Sequence, residues 1–204
     1  ISEYLQACPG ASMDIVKLSS EAQLQELAEG RLDAGLLRLP VLRQCEGVQI
    51  VPLFSEPLLL ALPPQHPLAL DPPAHGVELA QLRNEAFISI PHPQRGGLSY
   101  LSAQLCMSQG FFPKAARVMS RKTTQLQLIQ AGFGVALLPE SMQDIAPASV
   151  RFLPLADSDC QSTVALAYRQ DPTPLVAQFV EQLRNHWQSN CVVPWTDSPL
   201  NCAP

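Results

Sequence analysis

Apolar and polar positions switch between a helical and a strand-like period along the chain, and the switches mark its elements. Leu24, Leu27 and Ala28 share one helical face. Ahead of them, Ser20-Glu21-Ala22-Gln23 has the Ser-x-x-Gln spacing of a capping box, and Gly30 stops the helix. Before that, residues 1–8 read as the end of a helix closed by Pro9-Gly10, and residues 13–18 as a strand. Apolar runs over 32–37, 48–53 and 58–62 predict three further strands, the last covered on both faces. A Pro-rich loop over 63–76 leads to a short helix over 78–82 and a strand over 87–90.

The second half repeats the alternation. A loop from His92 to Gly97 opens a helix marked by Leu98, Leu101 and Leu105 and ended by Gly110. A strand over 115–119 precedes Thr124-x-x-Gln127, a second capping-box spacing, whose helix ends at Gly132 or Gly134. Strands are predicted over 135–138, 150–153 and 163–168. Leu175, Val176, Phe179, Val180, Leu183 and Trp187 then give one long amphipathic helix, and residues 190–204 read as a loose tail. This order predicts an α/β fold with largely parallel sheets.

Composition narrows the picture. A length of 204 residues fits one large domain or two small lobes. With 47% hydrophobic and 15% charged residues the chain is not a disordered tail. A formal net charge of −5 makes this chain, taken alone, unsuited to gripping nucleic acid through phosphates. No run approaches the roughly 18 apolar residues of a membrane span, so no membrane partner is expected. The first residues lack the pattern of a signal peptide and open inside a helix, so more chain is expected upstream. The six cysteines are widely spaced, with no C-x-x-C, which predicts free thiols in a reducing cytoplasm.

Catalytic and cofactor motifs are sparse, and neither a cofactor nor a metal is expected. Gly132-Phe133-Gly134 resembles the start of a dinucleotide fingerprint, but it follows a helix and precedes a strand, the reverse of what a pyrophosphate turn needs. None of the four histidines stands at metal-ligand spacing. His92 lies where ligands bind in such folds, yet no nucleophile accompanies it. What recurs is polar groups where strands lead into helices: Ser19-Ser20, Thr123-Thr124, and the loop from His92 to Gly97. Arg38 follows another strand. Helix N-termini there offer free N–H groups, Gly96-Gly97 lets backbone approach a ligand, and Arg38 suits a carboxylate. Ordinary capping is the competing use of each Ser and Thr. Together the junctions describe an anion pocket better than a reaction centre.

These residues carry a family resemblance. The segment Leu24-x-x-Leu27-x-x-Gly30-x-Leu32-Asp33-Ala34-Gly35-Leu36-x-Arg38 resembles the second helix and strand of the effector-binding domain of LysR-type transcriptional regulators. Glu56-Pro57-Leu58-Leu59-Leu60-Ala61-Leu62-Pro63 and His66-Pro67-Leu68-Ala69 are similar to that family's crossover strand and the loop after it. Leu79-x-x-Leu82 and Phe87-Ile88 follow in order. Leu128-Ile129-x-Ala131-Gly132-x-Gly134-Val135-Ala136-x-Leu138-Pro139 is the strongest match, and the whole resemblance covers about residues 1–187.

The resemblance implies a periplasmic-binding-protein-like fold: two Rossmann-like α/β lobes joined by a two-strand hinge. Lobe I would comprise 1–56 with 167–204, and lobe II 57–166. The family's first strand would lie before Ile1. A small anionic effector, as in regulators of aromatic or carboxylic acid catabolism, would sit in the interlobe cleft. Its contacts would be Ser19, Ser20, Arg38, Pro91, His92, Gly96, Gly97, Leu98, Lys122, Thr123, Thr124 and Phe133. Arg38 and the helix N-termini would hold the anion, and Leu98 and Phe133 the apolar body. The implied partners are a homodimer or homotetramer, DNA through an N-terminal winged helix-turn-helix, and RNA polymerase for the full-length protein. The implied function is sensing, not catalysis. A transporter's solute-binding protein shares the fold, as would a small-acid enzyme using His92, and both readings stay open on the sequence.

Overall fold

The computed structural model describes residues 1–88, 96–117, 121–157 and 159–190, with backbone alone at 117 and 188–190. In chain order the elements are α1 (Ser2–Ala7), α2 (Ser20–Ala28), β1 (Ala34–Arg38), β2 (Val48–Leu62), α3 (Pro67–Leu70) and a 3-10 helix (Leu79–Asn84). There follow β3 (Ala86–Ile88), α4 (Leu98–Ser108), β4 (Lys114–Arg117) and α5 (Lys122–Gln130). The chain then forms β5 (Ala136–Pro139), a second 3-10 helix (Glu140–Ile145), β6 (Arg151–Pro154), β7 (Gln161–Arg169) and α6 (Pro174–Asn190). No described helix is long and apolar enough to cross a membrane.

One strand organises the molecule. The two apolar runs over 48–53 and 58–62 are halves of a single 15-residue strand, β2. Its first half, Val48 to Pro57, pairs with β7, and β1 pairs with the other edge of β7. Its second half, from Leu58 on, leaves that sheet and pairs with β5 and β6. The change of partner coincides with a change of packing. From Leu58 to Leu62 every residue is buried, as a strand covered on both faces requires. Before that point the burial is mixed.

The described pairings correct the expectation of largely parallel sheets. The ladders of β1 with β7, and of β2 with β5, β6 and β7, are antiparallel; β3 with β4 is parallel. The long strands β2 and β7 run against each other, and β1, β5 and β6 each run against the long strand they pair with.

Three apolar clusters divide along the same line. Leu24 and Leu27 of α2 pack with Leu37, Ala165 and Ala167 on one face of the first sheet. On its other face Leu53, Leu166 and Tyr168 pack with Val180 of α6, and Trp187 stacks on Phe54 at a centroid distance of 4.1 Å. The largest cluster is built only from residues 58–160, among them Leu60, Leu82, Ile88, Cys106, Leu126 and Leu138. Each such leucine or isoleucine contributes about 1.5–3 kcal/mol by leaving water.

Residues 13–18 do not form the expected strand. Ile15 and Val16 are 77% and 61% exposed. Among the described residues no strand lies beside the segment to take up its backbone groups. The helix expected over 78–82 is a 3-10 helix, held at its start by a Glu78/Gln81 capping box that the sequence reading did not single out.

Candidate functional site

Of the residues singled out at strand-to-helix junctions, Ser19-Ser20, Arg38 and Gly96-Gly97 come together past the end of β1. The N-cap of α2 is Ser19, one residue before the expected Ser20, and its hydroxyl accepts the Ala22 N–H at 3.3 Å. Gln23 turns back to donate to the Leu18 carbonyl at 3.3 Å and closes no box on Ser20. That leaves Ser20 in the first turn, its hydroxyl 3.6 Å from where a Cβ at Gly97 would stand.

The glycine loop closes on this junction from the other side. Gly97 donates its N–H to the Pro40 carbonyl at 2.7 Å, just past the end of β1. Gly96 donates to the carboxylate of Glu21 on α2. A Cβ at Gly96 would overlap the Pro40 carbonyl oxygen, so the close approach depends on glycine. Gly97 has φ +75°, the region that favours glycine, and it leads directly into Leu98, the buried first residue of α4. Pro91 and His92 lie outside the described residues.

Arg38 clamps a carboxylate, as its position suggested, but the carboxylate belongs to the chain. Its guanidinium donates to Glu56 at 2.7 Å and to Ser162 at 2.8 Å. Glu56 also accepts the Ser141 N–H at 2.8 Å. Burial works against the Glu56 charge, yet the Ser141 amide and Arg38 outweigh it and hold the carboxyl below the ordinary carboxylate range.

Lys122 opens α5 and stands over a narrow cavity. Its ammonium donates to Gln125 Oε1 at 3.1 Å. Burial, then the positive charges of Arg38 and Lys17, lower its pKa to about 8. The cavity lies between α4 and α5 and is small, about 20 Å³, room for about one water molecule. Phe87, Ile88, Leu98, Pro113 and Leu137 form its apolar wall, and Ser99, Ser102, Lys122 and Gln125 its polar one. The second capping box does not form: the N-cap of α5 is Arg121 without a side-chain bond, so Thr123 and Thr124 sit inside the helix. Phe133 is not brought to the others. It lies past the opposite end of α5 and is 52% exposed.

Sequence reasoning missed Glu21, Glu56, Ser162 and Gln125. Glu21 read as a solvated helix face. Glu56 carried a usable signal: a carboxylate within an apolar strand needs a donor, and an arginine closing a nearby strand could supply it. Among the described residues no cluster of three or more His, Cys, Asp or Glu side chains could hold a metal ion.

The sequence pattern of the family described as LysR substrate binding domain matches residues 1–188. The chain belongs to that LysR domain family. Relatives of this LysR domain are transcriptional regulators. AlsR of Bacillus subtilis (strain 168), an HTH-type transcriptional regulator, is 27% identical over 181 residues, covering 88% of this chain and 58% of AlsR. BenM of Acinetobacter baylyi is 28% identical over 166 residues, covering 81% of this chain and 54% of BenM. The LysR domain thus spans a little over half the length of these relatives. Among solved structures, the BenM effector-binding domain with its effector benzoate superposes with a TM-score of 0.79 at 27% identity, over 93% of this chain and 84% of that one. Full-length CbnR in complex with target DNA, at 23% identity and a TM-score of 0.76, shares the fold. The fold is therefore the two-lobed, periplasmic-binding-protein-like α/β fold of LysR effector-binding domains.

Proposed function

We propose that this LysR domain is the effector-sensing and oligomerising part of a transcriptional regulator and not an enzyme. A small anionic effector, of carboxylate type, binds between the lobes, and its preference for one closure of the cleft is what DNA-binding heads elsewhere in the regulator read. The working assembly is a cytoplasmic homodimer or homotetramer that meets DNA through a winged helix-turn-helix and engages RNA polymerase. Sheet pairing and core clusters support drawing lobe I as residues 1–57 with 161–190, and lobe II as 58–160. That moves the expected return boundary from 166/167 back to the start of β7.

The observation that carries this reading is the meeting of the glycine loop with the first sheet. Gly97 bonds Pro40 and Gly96 bonds Glu21, beside Ser19, Ser20 and Arg38, and Lys122 feels the charge of Arg38. Residues from opposite sides of the β2 crossover thus meet at Gly96 and Gly97, with the Arg38–Glu56 pair on the first sheet. Proposed effector contacts are Ser19, Ser20, Arg38, Gly96, Gly97, Leu98, Lys122, Thr123 and Thr124; Pro91 and His92 belong to the same proposal. A thermal-shift screen of small carboxylates tests it. A ligand at 100 times its Kd stabilises by about 2.7 kcal/mol, a rise of roughly 5–10 °C for a domain of this size. No shift with any carboxylate up to millimolar concentration would overturn it.

A further inference from the structure

Charge is divided unevenly along this chain. The stretch from Ala86 to Pro139 holds none of the 18 Asp and Glu residues, yet it holds Arg95, Lys114, Arg117, Arg121 and Lys122. That stretch supplies β3, α4, β4, α5 and β5, all in the part drawn above as lobe II. Leu98 and Lys122 flank the same small cavity. Leu98 follows Gly97, whose N–H is bonded to the Pro40 carbonyl, and a Cβ at Gly97 would stand 4.0 Å from that of Arg38. Lys122 of lobe II thus lies close to where lobe I begins. The two charges that bear on it, Arg38 from β1 and Lys17 from the segment ahead of α2, are both positive and both belong to lobe I.

The carboxylates nearby are spoken for. Glu56 takes Arg38 and the Ser141 N–H, and Glu21 of α2 takes the Gly96 N–H. Among the described residues no carboxylate forms an ion pair with Lys122 or Lys17. From β3, α4 and β5, Lys122 is met by Phe87, Ile88, Leu98, Ser99, Ser102 and Leu137, none of them charged. On α5 it is bonded to the neutral Gln125, and the adjoining cation is Arg121, which is exposed.

We infer that the cleft carries an electrostatic spring: like charges on Lys122, Lys17 and Arg38 push the lobes apart, against the bonds of Gly96 and Gly97 to Glu21 and Pro40 that hold them together. This rests on the lobe closure proposed above and adds what sets its balance when no effector is bound. Salt shields the push far more than it shields the short bonds, so ionic strength favours closure. Loss of the Lys122 proton removes the push outright. Burial, then Arg38 and Lys17, lower its pKa to about 8 with the lobes in contact; with the lobes apart the two cations are more distant and the proton is held more tightly. The closed form therefore binds fewer protons, and closure strengthens as pH rises through about 8.

Hydrogen exchange at the Gly96 and Gly97 amides reads lobe contact directly, since each is bonded across the cleft. The test measures it at pH 7 on wild type, Lys122→Met and Lys122→Arg, at ionic strengths of about 20 mM and about 300 mM. Sodium chloride sets the ionic strength in one series and sodium sulfate in the other. Wild type and Lys122→Arg should exchange about two- to fivefold more slowly at high ionic strength, alike in both salts. Lys122→Met should be slow already at low ionic strength. Small-angle X-ray scattering at low salt adds the pH response: wild type should become more compact from pH 7 to pH 9, and Lys122→Arg, charged at both, should not. Exchange in wild type that ignores salt, or that Lys122→Met leaves unchanged, overturns the spring while lobe closure stands. Sulfate acting well beyond chloride at equal ionic strength also overturns it, because a bound anion and not shielding would then close the cleft. If neither amide is protected under any condition, the lobes do not meet there and both readings fall. Should Lys122→Met fail to fold, wild type against Lys122→Arg at pH 9 decides.

Discussion

Arg38, closing β1, reaches across the whole width of β7 to Glu56 on β2, with 2.7 Å between guanidinium and carboxylate. On the way it donates to Ser162 of β7. The second Glu56 oxygen takes the Ser141 N–H at the head of the 3-10 helix after β5. One carboxylate thus ties the strands of the first sheet to an element of the second, just before β2 changes partners. Arg38→Ala leaves Glu56, 8% exposed, without a cationic partner, held by the amide and side chain of Ser141. The expected loss is about 2–4 kcal/mol, since a charge stranded in the interior costs more than the pair contributed. Urea unfolding should show a lower midpoint at unchanged slope. Adding Glu56→Gln to Arg38→Ala should recover part of the loss; a loss below about 0.5 kcal/mol in the single variant would show the pair to be idle.

The same carboxylate predicts a pH dependence with a definite sign. Its folded pKa lies below the ordinary value, so the unfolded chain takes up the proton first as pH falls. The contribution is whole above the ordinary carboxylate range and is lost as pH drops through the folded pKa. Glu56→Gln lacks this term. The stability gap between wild type and Glu56→Gln should be widest near neutrality and narrow from about pH 5 downward. A gap that stays constant down to about pH 3 would place the charge of Glu56 outside the stability of the fold.

The glycine loop makes a prediction about closure. Gly96→Ala drives a methyl into the Pro40 carbonyl, and Gly97→Ala places a side chain at φ +75°. Each should cost about 1–3 kcal/mol in thermal unfolding. Glu21→Gln keeps an acceptor for the Gly96 N–H and should cost under about 1 kcal/mol. If Gly96→Ala is neutral, the loop does not hold this contact in solution.

Much of this was legible in the sequence, for physical reasons that differ by element. Apolar periodicity located α2, α6 and the strands because each buries one face or both, and burial is what periodicity records. It could not tell that 48–53 and 58–62 are one strand. The polar residues between them, Ser55 and Glu56, look like a break and are in fact paired with Thr163 and Arg38. It read a strand at 13–18 because apolar content is a property of the segment alone, whereas a strand needs a neighbour. At the candidate site, Ser19, Ser20, Arg38, Gly96 and Gly97 were singled out because junction chemistry is local, and Lys122 came only through the family resemblance. Phe133, implied only by the family resemblance, lies past the far end of α5, away from Lys122. Glu21 was missed because its partner, the Gly96 N–H, is 75 residues away.

Two separate cores imply two separable responses. Leu27 is fully buried against the first sheet, and Leu60 fully buried in the cluster built from 58–160. Truncating either to Ala should cost about 2–5 kcal/mol, the lost transfer energy plus the cavity. The locations should differ. Leu27→Ala removes contacts that hold α2 on β1 and β7, so hydrogen exchange should quicken at the amides of β1 and the partnered half of β7. The β5 and β6 amides, paired to the far half of β2, should keep their protection. Leu60→Ala should do the reverse. The β2 amides near Glu56 should loosen in both, because the strand belongs to both sheets. Uniform loosening of every strand by either substitution would mean that the two sheets unfold as one unit and that the β2 crossover transmits the whole disturbance.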